Sequence, residues 1–307
     1  MSKIAFIFPG QGAQACGMGK DFYEQTETGK RIFDKATQLM GFSMPQLCFE
    51  ENDRLDITEY TQAAMVTASI AMMRVLEENG IKPDVAAGLS LGEYCALAAA
   101  GVMSDEDAIW TVRQRGILMQ EAVPVGEGAM AAILALDAAA IEEVTGAMEG
   151  VWIANYNCPG QIVISGEKAA VEDACEKLKA AGAKRAVMLN VSGPFHSGML
   201  ADAGEKLGEV LSQVELHEPQ IPYVANVTAQ YVKSAAEVKE LLTRQVSSSV
   251  RWQQSVEAMI ADGVDTFIEI GPGKTLAGFM RKISRDVKTL NVEKLEDISK
   301  VAEALKS

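Results

Sequence analysis

Histidine is almost missing from this sequence, with only His196 and His217 in 307 residues. Any chemistry that needs an imidazole base has two candidates at most, and no grouping of histidine, thiolate and carboxylate follows a metal-ligand spacing, so no metal site is expected. Cysteine is scarce too. The five, at 16, 48, 95, 158 and 175, are odd in number and contain no CxxC, which excludes a disulfide framework and fits reduced thiols in a cytoplasmic protein. No segment reaches 18 apolar residues without a charge. The first apolar run, Ile4 to Phe8, is stopped by Pro9-Gly10 and is too short for a signal peptide or a membrane span. Positive charge is in deficit: 28 Lys and Arg stand against 42 Asp and Glu, a formal net charge of −14, so a nucleic-acid groove would have to be built against that background. What remains, 48% hydrophobic and 23% charged, is enough to bury a sizeable core.

Alternation of strands and helices organises the chain. Lys3 to Phe8 reads as a buried strand entering the loop Pro9-Gly10-Gln11-Gly12. Helical stretches follow at Thr28 to Met40 and Thr61 to Glu78, then a short strand Val85 to Gly88 and a small-residue helix Leu91 to Ala100. Ser104, with Asp107 three residues on, has the form of an N-cap for a helix reaching about Gln120. From Gly126 the rhythm shortens into strand Ala129 to Leu134, helix Asp137 to Met148, strands Val151 to Tyr156 and Gln161 to Ser165, helix Glu167 to Ala181 and strand Arg185 to Leu189. That βαββαβ order fits a ferredoxin-like insert. Longer elements then resume: helix Ser197 to Leu211, a strand near Ile221 to Val224, helices Ala235 to Gln245 and Trp252 to Asp262, strand Val264 to Ile270, helix Lys274 to Met280, strand Val287 to Asn291 and a final helix near Val292 to Leu305. The expected fold is α/β: an α/β-hydrolase-like large domain on a parallel sheet, residues 1–125 and 194–307, with a ferredoxin-like small domain inserted at 126–193.

The stretch Gly88-Leu89-Ser90-Leu91-Gly92 places a serine between two glycines, after a strand and before a helix. This is the context of a nucleophile elbow, where a sharp turn exposes Oγ and aims helix N-terminal amides at the same point. A serine in a tight turn, capping the helix, is the plainer reading. A nucleophile needs a base, and His196, at the mouth of a helix in Gly193-Pro194-Phe195-His196, is better placed than His217, which sits in the polar connection Glu215 to Pro219. Asp137 and Asp173 lie between serine and histidine in sequence but on insert helices. A dyad, with a backbone carbonyl orienting the imidazole, is therefore expected. Helical spacing puts Arg115 on one face with Ile109, Val112 and Met119, and turns Arg113 about 160° away toward solvent. An arginine on an apolar face is either pinned by an internal salt bridge or held as a fork for a substrate carboxylate. The Gly10-Gln11-Gly12 loop is neither a Walker motif nor a full dinucleotide fingerprint; it is a tight turn or a source of a second oxyanion donor at Gln11.

The motifs FPGQGAQ (8–14), GLSLGEY (88–94), RG (115–116), NCPGQIVISG (157–166), GPFHS (193–197), VRW (250–252) and EIGPGKTL (269–276) run in order along essentially the whole chain. In these the sequence resembles the malonyl-CoA:acyl carrier protein transacylase family of type II fatty-acid synthesis. The resemblance implies that Ser90 is acylated, that His196 is its base and acid, and that the amides of Gln11 and Leu91 form the oxyanion hole. It further implies that Arg115 binds the malonyl carboxylate, that the Gln245 carbonyl takes the His196 Nδ1 proton, and that Phe195 and Asn157 belong to the substrate pocket. The implied partners are malonyl-CoA and holo acyl carrier protein, with CoA as part of the substrate and no bound cofactor, in a cytoplasmic monomer with no nucleic-acid or membrane partner. An acidic carrier would call for a local basic patch, for which Lys184, Arg185, Lys274, Arg281 and Lys282 are candidates. The alternatives are a free-standing acyltransferase of a modular polyketide synthase, which would use the same residues, and a serine thioesterase or esterase. One departure stands out: family members usually carry histidine before the nucleophile, where this chain has Leu89.

Overall fold

The computed structural model describes residues 2–191 and 193–306; Ser192, in the connection leading to His196, lies outside them. Among the described residues nine strands form, in chain order β1 (Ile4–Phe8), β2 (Val85–Gly88), β3 (Gly128–Leu134), β4 (Val151–Cys158), β5 (Gln161–Glu167), β6 (Arg185–Met188), β7 (Tyr223–Val224), β8 (Thr266–Ile270) and β9 (Lys288–Val292). They make two sheets. The first is wholly parallel in the order β7-β2-β1-β8-β9, and the second is antiparallel in the order β4-β5-β3-β6. The α/β-hydrolase-like and ferredoxin-like expectations correspond to these two sheets in turn.

Both faces of the parallel sheet are covered by helices, which is why β1, β2 and β8 read as continuous apolar runs rather than as alternating patterns. Helix Thr58–Glu78 is buried nearly all round, so its sequence shows little amphipathic stripe. It packs along helix Asp105–Glu121, and that pairing sets Gln62 opposite Arg115. Ser104 caps the second of these helices as expected, its Oγ accepting the Asp107 amide at 3.0 Å. Glu269 is an exception within β8, a buried carboxylate in an apolar strand. Its two oxygens accept the Leu276 and Ala277 amides at 2.9 and 2.7 Å, satisfying the open end of helix Thr275–Ile283 and fixing it beside the cleft.

Helices Ala138–Gly146 and Lys168–Ala180 cover one face of the antiparallel sheet, and its other face, carrying Met130, Ala132 and Val163, turns to the cleft. The two sheets are joined by backbone bonds. Val250 donates to the Ala154 carbonyl at 2.8 Å and accepts from Tyr156 at 2.9 Å, so β4 is stitched to the segment that follows Gln245. No helix of the described residues is long and apolar enough to cross a membrane.

Several boundaries differ from the sequence reading. Helices Lys20–Gln25 and Met44–Phe49 form where none was expected, and helix Thr58–Glu78 begins three residues early. The segment after His196 opens with a 3-10 turn at Gly198–Leu200 before the α-helix Ala201–Leu211. β7 is shorter than read because Pro222 has no amide to give the ladder, although its carbonyl accepts the Ala86 amide. Val292 ends β9 instead of opening the last helix, which starts at Asp297; the Asp297 carboxylate takes the Glu293 and Lys294 amides of the intervening turn.

Candidate active site

Small residues make the elbow. A Cβ on Gly88 would lie 2.0 Å from the Gly92 carbonyl group, and one on Gly92 would lie 2.3 Å from the Phe8 carbonyl oxygen, so only glycine lets helix Gly92–Ala99 start this close to β1 and β2. Between them Ser90 adopts φ 54°, the left-handed region that is costly for any residue with a side chain, and Oγ points into the cleft. Leu89 packs against the apolar cluster that contains Val250 and Trp252 and lines the cavity with its remaining surface.

His196 also has φ 58° and is buried, with its Nε2 2.7 Å from Ser90 Oγ. Its Nδ1 lies 2.8 Å from the Gln245 carbonyl oxygen, so Nδ1 carries the proton and donates it, leaving the Nε2 lone pair to accept from Ser90. The carbonyl occupies the place an aspartate holds in a triad. Burial, helped by the charge of Arg115, pushes the imidazole down to about 4, against the hydrogen bond that Nδ1 donates to the Gln245 carbonyl, which favours the charged form. The imidazole is therefore neutral at pH 7, with Nε2 free to accept a proton. Because the lowered value keeps the neutral form present down to low pH, acylation in single-turnover experiments should stay flat from pH 8 to about pH 5. It should fall by up to tenfold per unit only below about pH 4. Because Glu93 in the same hydrogen-bonded web lies at about 7, an inflection between 6 and 7 that persists in still-folded Glu93→Gln enzyme would contradict this assignment.

Arg115 is buried, 1% exposed, and has no carboxylate partner among the described residues. Its Nη1 donates to Gln62 Oε1 at 2.7 Å, and Nη2 donates to Gln245 Oε1 at 3.0 Å and to Ser90 Oγ at 3.1 Å. Nε has no acceptor. The internal salt bridge allowed by the sequence is not formed: two neutral carboxamides hold the guanidinium, and no anion pairs with it directly where it meets Ser90 Oγ. Burial lowers the guanidinium's proton affinity, while the nearby Tyr94 and Glu93 raise it. Arg113, expected in solvent, is half-buried instead. It pairs with Glu59 at 2.5 Å and lies over the Tyr60 ring, with the guanidinium carbon 4.5 Å from the centroid.

The cavity has a volume of about 790 Å³. Gln11, Ser90, Arg115, Asn157, Phe195 and His196 all line it; Leu91 does not, its side chain being buried beneath the elbow. The Gln11 and Leu91 amides donate to no acceptor among the described residues. His217 is exposed, away from this group. Lys184, Arg185, Lys274, Arg281 and Lys282 are exposed, and none of the five lines the cavity.

Three residues of this site escaped the sequence reading. Gln62 holds Arg115. Glu93, buried in the first turn after Ser90, accepts from Gln245 Nε2 at 2.8 Å and from the Asn226 amide at 3.2 Å; burial raises its carboxyl to about 7, against those two hydrogen bonds. Asn226 bonds to the elbow backbone on both sides of Leu89. A serine on a strained strand-to-helix turn, a carbonyl-oriented histidine and free amides beside it make the chemistry of a covalent acyl transferase.

Comparison with known proteins agrees. Residues 5–300 match the family described as acyl transferase domain. The malonyl CoA-acyl carrier protein transacylase of Bacillus subtilis (strain 168) is 50% identical over 311 residues, covering 100% of this chain and 98% of that protein. Among solved structures, an acyl carrier protein S-malonyltransferase from Vibrio cholerae superposes with a TM-score of 0.95 at 42% identity, covering 98% of this chain and 100% of that one. The malonyl-transacylase in a complex with a type II polyketide acyl carrier protein gives 0.95 at 40% identity, covering 99% and 100%. The chain belongs to the malonyl-CoA:acyl carrier protein transacylase family.

Proposed function

We propose that this enzyme moves a malonyl group from malonyl-CoA to the phosphopantetheine thiol of holo acyl carrier protein through a malonyl-serine at Ser90. The observation that carries the assignment of roles is one line of contacts: Arg115 Nη2, Ser90 Oγ, His196 Nε2 and, beyond the ring, the Gln245 carbonyl. His196 takes the Ser90 proton as Oγ attacks the thioester carbonyl. The oxyanion forms against the Gln11 and Leu91 amides, and the imidazolium protonates the departing CoA thiolate. The carrier thiol then enters, His196 removes its proton, and attack on the ester returns the malonyl group to a thioester. Thioester to ester to thioester has no large uphill step, so the cycle runs in either direction.

Arg115 receives the free carboxylate of malonate. A guanidinium held by neutral oxygens, with Nε still open, is paired for the first time when that carboxylate arrives. Phe195 and Asn157 bound the acyl end of the cavity, and Gln245 orients the base. Residues 1–125 and 194–307 act as the α/β-hydrolase-like catalytic domain and 126–193 as the ferredoxin-like inserted subdomain, residues of both lining the cleft. The setting is cytoplasmic, which the unpaired cysteines support.

Intact-protein mass spectrometry tests the whole reading. With malonyl-CoA the protein should gain one malonyl adduct, and adding phosphopantetheinylated carrier should move that adduct to the carrier. Release of the adduct as free malonate, with little transfer, would instead identify a thioesterase.

A further inference from the structure

β2 lacks a full-length neighbour on its outer side. β7 pairs with it only through Ala86↔Tyr223 and Ala87↔Val224, after which the chain turns back on itself, Ala225 bonding to Gln230. The next ladder positions along β2 are the peptides of Gly88 and Ser90, where the backbone must turn sharply. They are met by a side chain. Asn226 Nδ2 donates to the Gly88 carbonyl at 2.6 Å and Oδ1 accepts the Ser90 amide at 2.7 Å. A carboxamide has one donor and one acceptor set as in a peptide, so it continues a ladder that the backbone has left.

Asn226 is itself held. It is buried, its amide donates to Glu93 Oε2 at 3.2 Å, and its carbonyl accepts the Arg251 amide at 2.9 Å. On the other side of the elbow, Gln245 Nε2 donates to the Ser90 carbonyl at 2.9 Å. The nucleophile's own peptide groups are thus gripped by two side-chain amides. That arrangement suits a residue at φ 54°, which would otherwise relax toward a commoner conformation and swing Oγ off His196.

We propose that Asn226 is a positioning residue for acyl transfer: its carboxamide replaces the missing strand partner of β2 and fixes the left-handed Ser90 turn from which Oγ reaches His196. This rests on Ser90 being the nucleophile. Asn226 does not line the cavity and reaches Arg115 only through Gln245, whose Nε2 lies 3.4 Å from Asn226 Oδ1 and whose Oε1 is already fixed by the guanidinium. Its loss therefore falls chiefly on the rate of acylation and little on the binding of malonyl-CoA.

Rapid-quench mass spectrometry on wild type, Asn226→Ala and Asn226→Asp separates the possibilities. Asn226→Ala should acylate roughly 10- to 100-fold more slowly, as expected for a misplaced reacting group, with the malonyl-CoA concentration for half-maximal rate changed by less than about twofold. Asn226→Asp keeps the shape and, as a neutral acid, both bonds to the elbow, so at low pH it stands in where the alanine variant does not fold. As a carboxylate it has no donor for the Gly88 carbonyl; as a neutral acid it regains one. Burial and the facing Glu93 carboxylate favour the neutral acid; Arg115, His196, Tyr94 and Tyr223 are the other charged or titratable groups of this web. The rate of Asn226→Asp per folded molecule, relative to wild type at the same pH and with the folded fraction read from a melting curve at each pH, should therefore climb as pH falls. The normalisation removes the parallel gain in stability that protonating a buried carboxylate brings to any fold. Wild-type rate in the folded variants, a loss confined to half-saturation, or a pH-independent deficit in Asn226→Asp each overturns the proposal. If wild type itself forms no adduct at Ser90, it is the nucleophile assignment that fails instead.

Discussion

Ser90→Ala should fold, bind malonyl-CoA and form no malonyl adduct, with transfer to carrier protein reduced on the order of ten-thousandfold or more, as when a covalent nucleophile is removed. The expectation is specific because the substitution changes so little else. Alanine at φ 54° is strained as serine is, the elbow backbone bonds to Asn226 and Gln245 do not involve Oγ, and only the contacts to His196 Nε2 and Arg115 Nη2 are lost. Thermal stability should therefore stay close to wild type. Intact mass after mixing with malonyl-CoA, beside a melting curve, reads both quantities. An adduct forming at the wild-type rate would move the nucleophile elsewhere, and loss of the adduct together with collapse of the fold would show that the turn depends on the hydroxyl.

The parts of this site legible in the sequence are those fixed by local chain geometry. Gly88 and Gly92 announce a turn too tight for any Cβ, and two histidines in the whole chain leave little choice of base. Arg115 shared an apolar helical face with Ile109 and Val112, all now buried. What held that arginine was not legible. Gln62 sits on a helix that is buried on all sides and has no polar stripe to single it out, while Glu93 and Asn226 meet only because β7 ends early and the chain folds back. Arg113 was misread for a related reason: an angle around a helix says where a side chain points, not that Glu59 and Tyr60 from another helix cover it. Short helices such as Lys20–Gln25, opened by Gly19 at φ 77° with no side-chain cap, offer too few residues for periodicity to register.

Arg115→Ala carries the second large effect, and its signature is selectivity. The guanidinium is held by Gln62 and Gln245 through neutral oxygens, so in the free enzyme its charge is compensated only weakly, with Glu93 kept behind the Gln245 carboxamide. A carboxylate entering the cleft forms the first close ion pair in a buried setting, where breaking such a hydrogen-bonded pair costs about 2–5 kcal/mol. Acylation efficiency, kcat/KM, with malonyl-CoA should fall by roughly 30-fold or more. Acetyl-CoA, which has no carboxylate to place, should lose far less, so the preference for malonyl narrows or inverts. Arg115→Lys should fall between, since an ammonium keeps the charge but cannot span Gln62, Gln245 and a carboxylate at once. Single-turnover acylation with both thioesters decides the matter. Equal losses would assign Arg115 to holding Ser90 Oγ, through its 3.1 Å contact, rather than to recognising the acyl group. Unequal losses would mean that the enzyme chooses its substrate by leaving one buried cation without a close anion until malonate supplies it.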